Sequence, residues 1–136
     1  MTTDTLQKLD RHKLQDVAAT PPPVDTEVLL SHCMGNISFA LALLGELEAN
    51  GKQQVDAIAL HVAAGDPEAV AEAAHSLKGG AAIIGAEPLR ELAAEVEAAG
   101  RAGEPSLLLD MVQDLRDEMD RCLTFIPILR AKAVAK

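Results

Sequence analysis

The sequence predicts an all-α protein, in which four antiparallel helices form a bundle and a short additional helix or arm precedes them. Three observations support this fold class. The apolar residues make up 49% of the 136-residue chain and are mostly Ala, Leu and Val. Only Phe39 and Phe125 are aromatic, whereas β-sheet proteins usually rely on aromatic and β-branched residues. Apolar positions also recur at helical spacing between residues that cap or break helices.

The predicted bundle occupies residues 25–129. Residues 1–24 are mostly polar and are expected to form an N-terminal arm that is partly flexible. The run TPPPVD separates this arm from the bundle, because three consecutive prolines cannot continue a helix. Residues 130–136 are expected to form a charged tail.

Capping residues divide the bundle into helices. Asp25 and Asn36 are placed to cap helices over residues 26–34 and 37–65. The pair Asn50-Gly51 marks either a kink in one long helix or a break between two. The apolar spacing resumes after this pair, which favours one long helix.

Three more helices follow. Asp66 and Pro67 start a helix that runs to about residue 85, and the next spans about 87–101. Pro105 opens the last helix, which Pro127 is expected to end or kink.

Charge and composition exclude several classes of function. The net charge of −9 argues against binding to nucleic acid or to an anionic membrane surface. The N-terminal segment lacks the apolar core of a signal peptide, and no apolar run approaches the ~20 residues of a membrane-spanning helix. We therefore expect a cytoplasmic protein, in which Cys33 and Cys122 are small buried apolar residues.

One histidine lies on the outer side of the helix over residues 67–85. On a helical wheel, His75 lies roughly 140° from the centre of the apolar stripe. Its neighbours Ala71, Gly79 and Ala82 are small, and Lys78 follows one turn later. A partner is thus expected to reach the imidazole freely. The stripe itself contains Val70, Ala73, Ala74, Leu77, Ala81 and Ile84.

This pattern suits a phosphoryl acceptor. Neutral imidazole is a nucleophile near pH 7, and a lysine one turn away can neutralise phosphoryl charge. A convex helix surface offers no pocket for general acid–base catalysis, and the other histidines have no metal-like spacing with His75, so no metal site is expected. There is no P-loop sequence. From the spacing alone, a surface histidine without function is an equally good interpretation.

The run AHSLKGGAAIIGA, residues 74–86, closely resembles the signature of histidine-containing phosphotransfer (HPt) domains, H-[ST]-x-K-G followed by small residues, an apolar pair and a second glycine. The resemblance covers residues 25 to about 126 and leaves the arm outside. It implies a four-helix HPt bundle that carries a phosphoryl group between the aspartates of response-regulator receiver domains.

The resemblance also implies partners. These are receiver domains and a hybrid sensor histidine kinase, with Mg²⁺ held by the receiver and no cofactor bound by this chain. The chain is expected to be a monomeric carrier without an ATP-binding kinase core. Two alternatives remain: a phosphoacceptor module of a chemotaxis-type kinase, and a helical docking protein that binds receivers without phosphotransfer.

Individual roles follow from the resemblance. His75 matches the acceptor, Lys78 the lysine near the phosphoryl oxygens, and Gly79 the glycine that gives the receiver room. Glu97 falls where chemotaxis kinases carry a glutamate that hydrogen-bonds the histidine; otherwise it is a solvated surface carboxylate. Ile83 is either a core contact or part of a docking surface.

Overall fold

The computed structural model describes residues 22–135, and the predicted arm at residues 1–21 lies outside them. The described chain forms five helices joined by short turns, with no strand among these residues. The fold is the all-α bundle that the sequence predicts. The helices are α1 Thr26–His32, α2 Ile37–Ala63, α3 Pro67–Ile84, α4 Glu87–Ala102 and α5 Pro105–Ala135.

Side-chain caps start three of these helices where the sequence predicts them. The Asp25 carboxylate accepts hydrogen bonds from the backbone N–H groups of the first turn of α1. Asn36 and Asp66 cap α2 and α3 in the same way. Gly85 ends α3 at a φ of +75°, a left-handed conformation that costs glycine little. These short connections make successive helices antiparallel.

The four long helices form a closed ring around one core. Helix α2 packs on α3, α3 on α4, α4 on α5, and α5 back on α2, while α1 rests on α3 and α2. Cys33 and Cys122 are free and buried, as expected. The largest fully buried side chains are Leu44, Ile58, Leu77, Leu89, Leu108, Leu115, Met119 and Ile126.

Helix α2 runs unbroken through Asn50-Gly51, which confirms the single long helix. A Cβ atom at Gly51 would lie 2.6 Å from Sδ of Met119 on α5. Glycine at this position therefore lets α5 pack closely on α2, and that close packing explains why a weak helix former occurs inside α2.

The sequence left two alternatives for Pro127, an end or a kink of α5. The end is wrong, because the helix continues to Ala135, and the kink stays a prediction. Most of the expected tail, residues 130–135, is therefore helical. Pro127 removes one backbone hydrogen bond, but tertiary contacts on both sides offset this loss. Ile126 is buried in the core, and Arg130 forms an ion pair with Glu48 of α2.

The bundle begins slightly before the predicted boundary. Pro23 and Val24, assigned to the arm from the sequence, are both buried. The backbone N–H of Asp25 donates to the carbonyl of Gly85 at 2.8 Å, which ties the start of α1 to the turn between α3 and α4.

Within residues 22–135 no single helix has both the length and the apolar composition to cross a membrane. The pair α1 and α2 would pass that test together, although the two helices meet at a 112° bend.

Candidate functional site

His75 projects outward from the middle of α3. Its side chain is 63% exposed, while Ala74 and Leu77 on either side of it are buried in the core. The helical period that turns these two residues inward turns His75 to the outer surface. The sequence-based placement of His75 on the outer side is confirmed.

Glu97 of α4 lies beside His75. Its Oε2 atom is 2.9 Å from Nδ1 of the imidazole, although 22 residues separate the two positions. The Glu97 side chain is only 10% exposed, so the alternative of a solvated surface carboxylate is wrong. A nearly buried carboxylate requires compensating partners.

Two cations supply that compensation. Nζ of Lys78 lies 2.6 Å from Oε1 of Glu97, and Nη2 of Arg101 lies 2.9 Å from Oε2. Oε2 thus receives hydrogen bonds from both Arg101 and His75. Sequence reasoning missed Arg101, although its position four residues after Glu97 is the spacing at which helical side chains meet.

These contacts lower the pKa of Glu97 to about 2. The hydrogen bond from Lys78 contributes most, followed by the hydrogen bond from Arg101, and burial opposes both. The bond from His75 and the charge of Lys78 lower it further. Glu97 is therefore ionised at neutral pH.

An ionised carboxylate fixes the tautomer of the histidine. Glu97 can only accept, so Nδ1 of His75 must carry the proton in this hydrogen bond. In the neutral ring the lone pair then lies on Nε2. No hydrogen-bond partner for Nε2 occurs among the described residues, so its lone pair is not engaged by another group there.

The surface next to His75 on α3 includes several small residues. Gly79, Gly80 and Ala82 are all exposed, and a Cβ atom added at either glycine would meet nothing within 4 Å. Glycine at positions 79 and 80 leaves space on the outside of the bundle.

Ala71, predicted to belong to this surface, is instead buried, with 1% of its area exposed. It faces Gly100 of α4, where an added Cβ atom would lie 3.2 Å from the Cβ atom of Ala71. The close approach of the two helices covers Ala71, while Ala73 on the predicted core face is only half-buried. The buried stripe is thus rotated toward α4.

Ile83 is 52% exposed, which makes a core role wrong and leaves a surface role. It borders a shallow cleft between α2 and α3, together with Leu43, Asn50 and Gly80. The carbonyl of Ile83 accepts a hydrogen bond of 2.8 Å from Nδ1 of His32, which links α1 to the last turn of α3.

The described residues contain no group of three or more His, Cys, Asp or Glu side chains placed to hold a metal ion. The ionisable groups in mutual contact at this site are one imidazole, one carboxylate and two cations.

Comparison with known proteins agrees with this geometry. The family model described as the Hpt domain matches residues 42–124, which include both His75 and Glu97. No curated protein sequence matches the chain significantly.

A solved structure has the same fold. It is histidine-containing phosphotransfer protein B (HptB) from Pseudomonas aeruginosa PAO1, with a TM-score of 0.76. The two chains are 24% identical over 83% of this chain and 98% of that one. The family match covers more than half of the sequence, and the chain therefore belongs to the Hpt family, as a histidine phosphotransfer intermediate of two-component signalling.

Proposed function

We propose that His75 accepts a phosphoryl group from the phosphoaspartate of a receiver domain and passes it to the aspartate of another receiver. The observation that carries this proposal is the difference between the surroundings of the two ring nitrogens of His75. Nδ1 is held by Glu97 at 2.9 Å, and Nε2 faces an open surface. This arrangement presents a neutral nucleophile with a fixed tautomer.

In the transfer step, the lone pair of Nε2 attacks the phosphorus atom. The P–N bond forms as the P–O bond to the aspartate breaks, and the electron pair leaves with the aspartate carboxylate. The Nδ1 proton stays on the ring, where Glu97 balances the positive charge that the ring acquires. Such a ring is a good leaving group, so the same contact assists the reverse step to a second receiver.

Lys78 supports the phosphoryl group by charge. It lies one turn from His75, and its side chain is 30% exposed. The ammonium group can therefore move toward the oxygen atoms of a phosphoryl group that is bound to Nε2. The receiver is expected to supply Mg²⁺ and its own acidic residues, and most of the electrostatic stabilisation comes from them. This chain then needs no cofactor and no ATP site.

The docking surface in this proposal comprises Gly79, Ala82 and Ile83, which are exposed around or beyond His75. Small residues let a receiver approach the imidazole, and Ile83 supplies apolar area at the edge. A hybrid sensor kinase and a response regulator are the proposed partners of a monomeric chain. Both act in the cytoplasm, where we place this protein.

A labelled transfer assay tests the proposal. Receiver domains from the same cell are first phosphorylated with labelled acetyl phosphate and are then mixed with the full chain. We expect acid-labile, alkali-stable label on the native chain and none on His75→Gln. The matched control is His61→Gln, which changes a half-buried histidine in the last turn of α2 and should keep full labelling. Label that persists on His75→Gln would refute the assignment.

One observation favours a second function. The hydrogen bond between His75 and Glu97 is the feature that resembles chemotaxis-type kinases, whose phosphoacceptor module takes its phosphoryl group from an ATP-fed kinase core. A parallel incubation with such a core and ATP separates the two functions. Labelling by the kinase core and by no receiver would replace the carrier with this alternative, and binding without label would indicate a docking protein.

A further inference from the structure

Two cations share one carboxylate at this site. Lys78 holds Oε1 of Glu97, and Arg101 holds Oε2, the atom that also accepts from His75. Lys78 reaches Glu97 from α3, whereas Arg101 lies on α4 with Glu97 itself. The two cations therefore differ in what else they can reach.

The proposed transfer makes competing demands on Lys78. A phosphoryl group on Nε2 carries close to two negative charges and attracts the nearby ammonium group. If Lys78 turned to the phosphoryl oxygens, Glu97 would lose the contact that contributes most to its low pKa. A carboxylate that is only 10% exposed is strongly destabilised when its charge is left unpaired.

Arg101 can still neutralise the charge of Glu97 when Lys78 turns away. Its guanidinium donates to Oε2 from the same helix, so the contact does not depend on where Lys78 points. The Arg101 side chain is 59% exposed. The residue lies in the last turn of α4, where a cation also interacts favourably with the helix dipole.

Building on the proposed function, we propose that Arg101 is a positioning residue, which holds the Glu97 carboxylate on Nδ1 of His75 while Lys78 turns to the phosphoryl group. Arg101 thereby makes Lys78 available for transfer without touching the reacting atoms. The family signature around the histidine does not include this position.

The chain offers a matched control on the same helix. Arg90 pairs with Glu87 three residues earlier, and both side chains are substantially exposed at the first turns of α4. Arg90→Ala removes an arginine–glutamate pair of the same kind as Arg101→Ala does, but away from His75. Circular dichroism confirms that each variant is folded before its rates are compared.

Phosphorylation rates test the proposal with two donors. The first is a phosphorylated receiver domain. The second is phosphoramidate, a small molecule that phosphorylates imidazole without docking. We expect Arg101→Ala to slow both reactions about two- to fivefold, in line with the loss of an exposed ion pair. Arg101→Lys should restore most of the rate, and Arg90→Ala should match the native chain.

Two further measurements identify the path of the effect. In a Glu97→Gln background no carboxylate remains to be held, so Arg101→Ala should cause no additional slowing. In the unphosphorylated chain, ¹³C NMR of the Glu97 carboxyl group should titrate at higher pH in Arg101→Ala than in the native chain. Neither result is expected from a residue that only stabilises the fold.

Several outcomes would overturn the role of Arg101. Slowing with the receiver but not with phosphoramidate would make Arg101 a receiver contact. Equal slowing in the native and Glu97→Gln backgrounds would show that it does not act through Glu97, and so would an unchanged Glu97 titration. If the native chain accepts no phosphoryl group on His75, the proposed function itself fails, and the NMR titration then shows whether the ion pair nevertheless exists.

Discussion

Gly100 of α4 lies directly against Ala71 of α3. A Cβ atom at Gly100 would stand 3.2 Å from the Cβ of Ala71 and only 2.9 Å from the carbonyl oxygen of Pro67. This contact sets the distance between the two helices that carry His75 and Glu97. The geometry of the site therefore depends on a residue that takes no part in its chemistry.

Gly100→Ala should destabilise the bundle and separate His75 from Glu97. The new methyl group meets backbone atoms, which cannot move without shifting a helix, so we expect a loss of about 1–3 kcal/mol in the free energy of unfolding. Urea unfolding measures this loss, and NMR of the His75 ring nitrogens detects a weakened hydrogen bond.

Gly51→Ala is the comparison for this variant. Its nearest atoms belong to the flexible end of Met119, which can rotate away, and the higher helix propensity of alanine offsets part of the strain. Gly51→Ala should therefore cost less than Gly100→Ala. Equal losses would argue against the close backbone contact between α3 and α4.

Glu97→Gln should release the tautomer of His75. A neutral amide can accept from or donate to Nδ1, so the proton is no longer held on that nitrogen. ¹⁵N NMR should show a larger share of the Nε2–H form. Loss of one charge-assisted hydrogen bond should slow phosphotransfer by roughly tenfold.

The control for this variant is Glu95→Gln, which removes an exposed carboxylate from the same helix and should leave the tautomer and the rate unchanged. A Glu97→Gln chain with native tautomer ratio and native rate would contradict the orienting role of Glu97.

The pKa of Glu97 predicts how stability changes with pH. Its pKa is about 2 in the folded chain against an ordinary value of 4.5, so between these values the unfolded chain binds a proton that the folded chain does not. The stabilisation from Glu97 is therefore complete above pH 4.5 and is lost as the pH falls toward 2.

The size of this loss is at most about 3 kcal/mol, and solvent around the exposed His75 and Arg101 reduces it. Urea unfolding at pH 5 and at pH 2.5 measures the effect. The advantage of the native chain over Glu97→Gln should shrink at the lower pH, and a constant difference would count against the ion-pair cluster.

Gly79→Ala should raise the stability of the fold but slow phosphotransfer from a receiver. An added Cβ atom meets nothing within 4 Å, and alanine favours the helix, so the free energy of unfolding should rise by up to about 1 kcal/mol. The same methyl group would stand on the proposed docking surface. Transfer from a receiver should therefore slow about fivefold or more if the receiver packs closely there.

Gly45→Ala in α2 is the matched control, since its Cβ atom would also meet nothing within 4 Å. It should bring a similar gain in stability and leave the transfer rate unchanged. If Gly79→Ala transfers at the native rate, the receiver does not approach this part of α3 closely.

Local signals in the sequence predicted most of the helix boundaries. Asp25, Asn36 and Asp66 each act on backbone groups two or three residues away, so their effect can be recognised without knowledge of the fold. The outward position of His75 follows equally from the period of a single helix.

Contacts between helices were beyond sequence reasoning. The burial of Ala71 depends on Gly100, which belongs to another helix, and the continuation of α5 past Pro127 depends on packing against α2. Glu97 was placed beside His75 by family resemblance, because no period within α4 indicates which α3 side chain it meets. The role of Arg101 could be recognised only after the structure had shown that its partner, Glu97, is buried beside His75.

The parts of the site come from one helical hairpin, α3 and α4, joined by the turn at Gly85 and Ala86. His75 and Glu97 are 22 residues apart in sequence, whereas the Glu48–Arg130 ion pair closes a separation of 82 residues. Shorter loops cost less entropy to close, so the hairpin is expected to form early in folding, before α5 returns to α2. Pulse-labelling hydrogen exchange should show protection in α3 and α4 ahead of α2. The imidazole would then meet its carboxylate while the rest of the chain is still assembling.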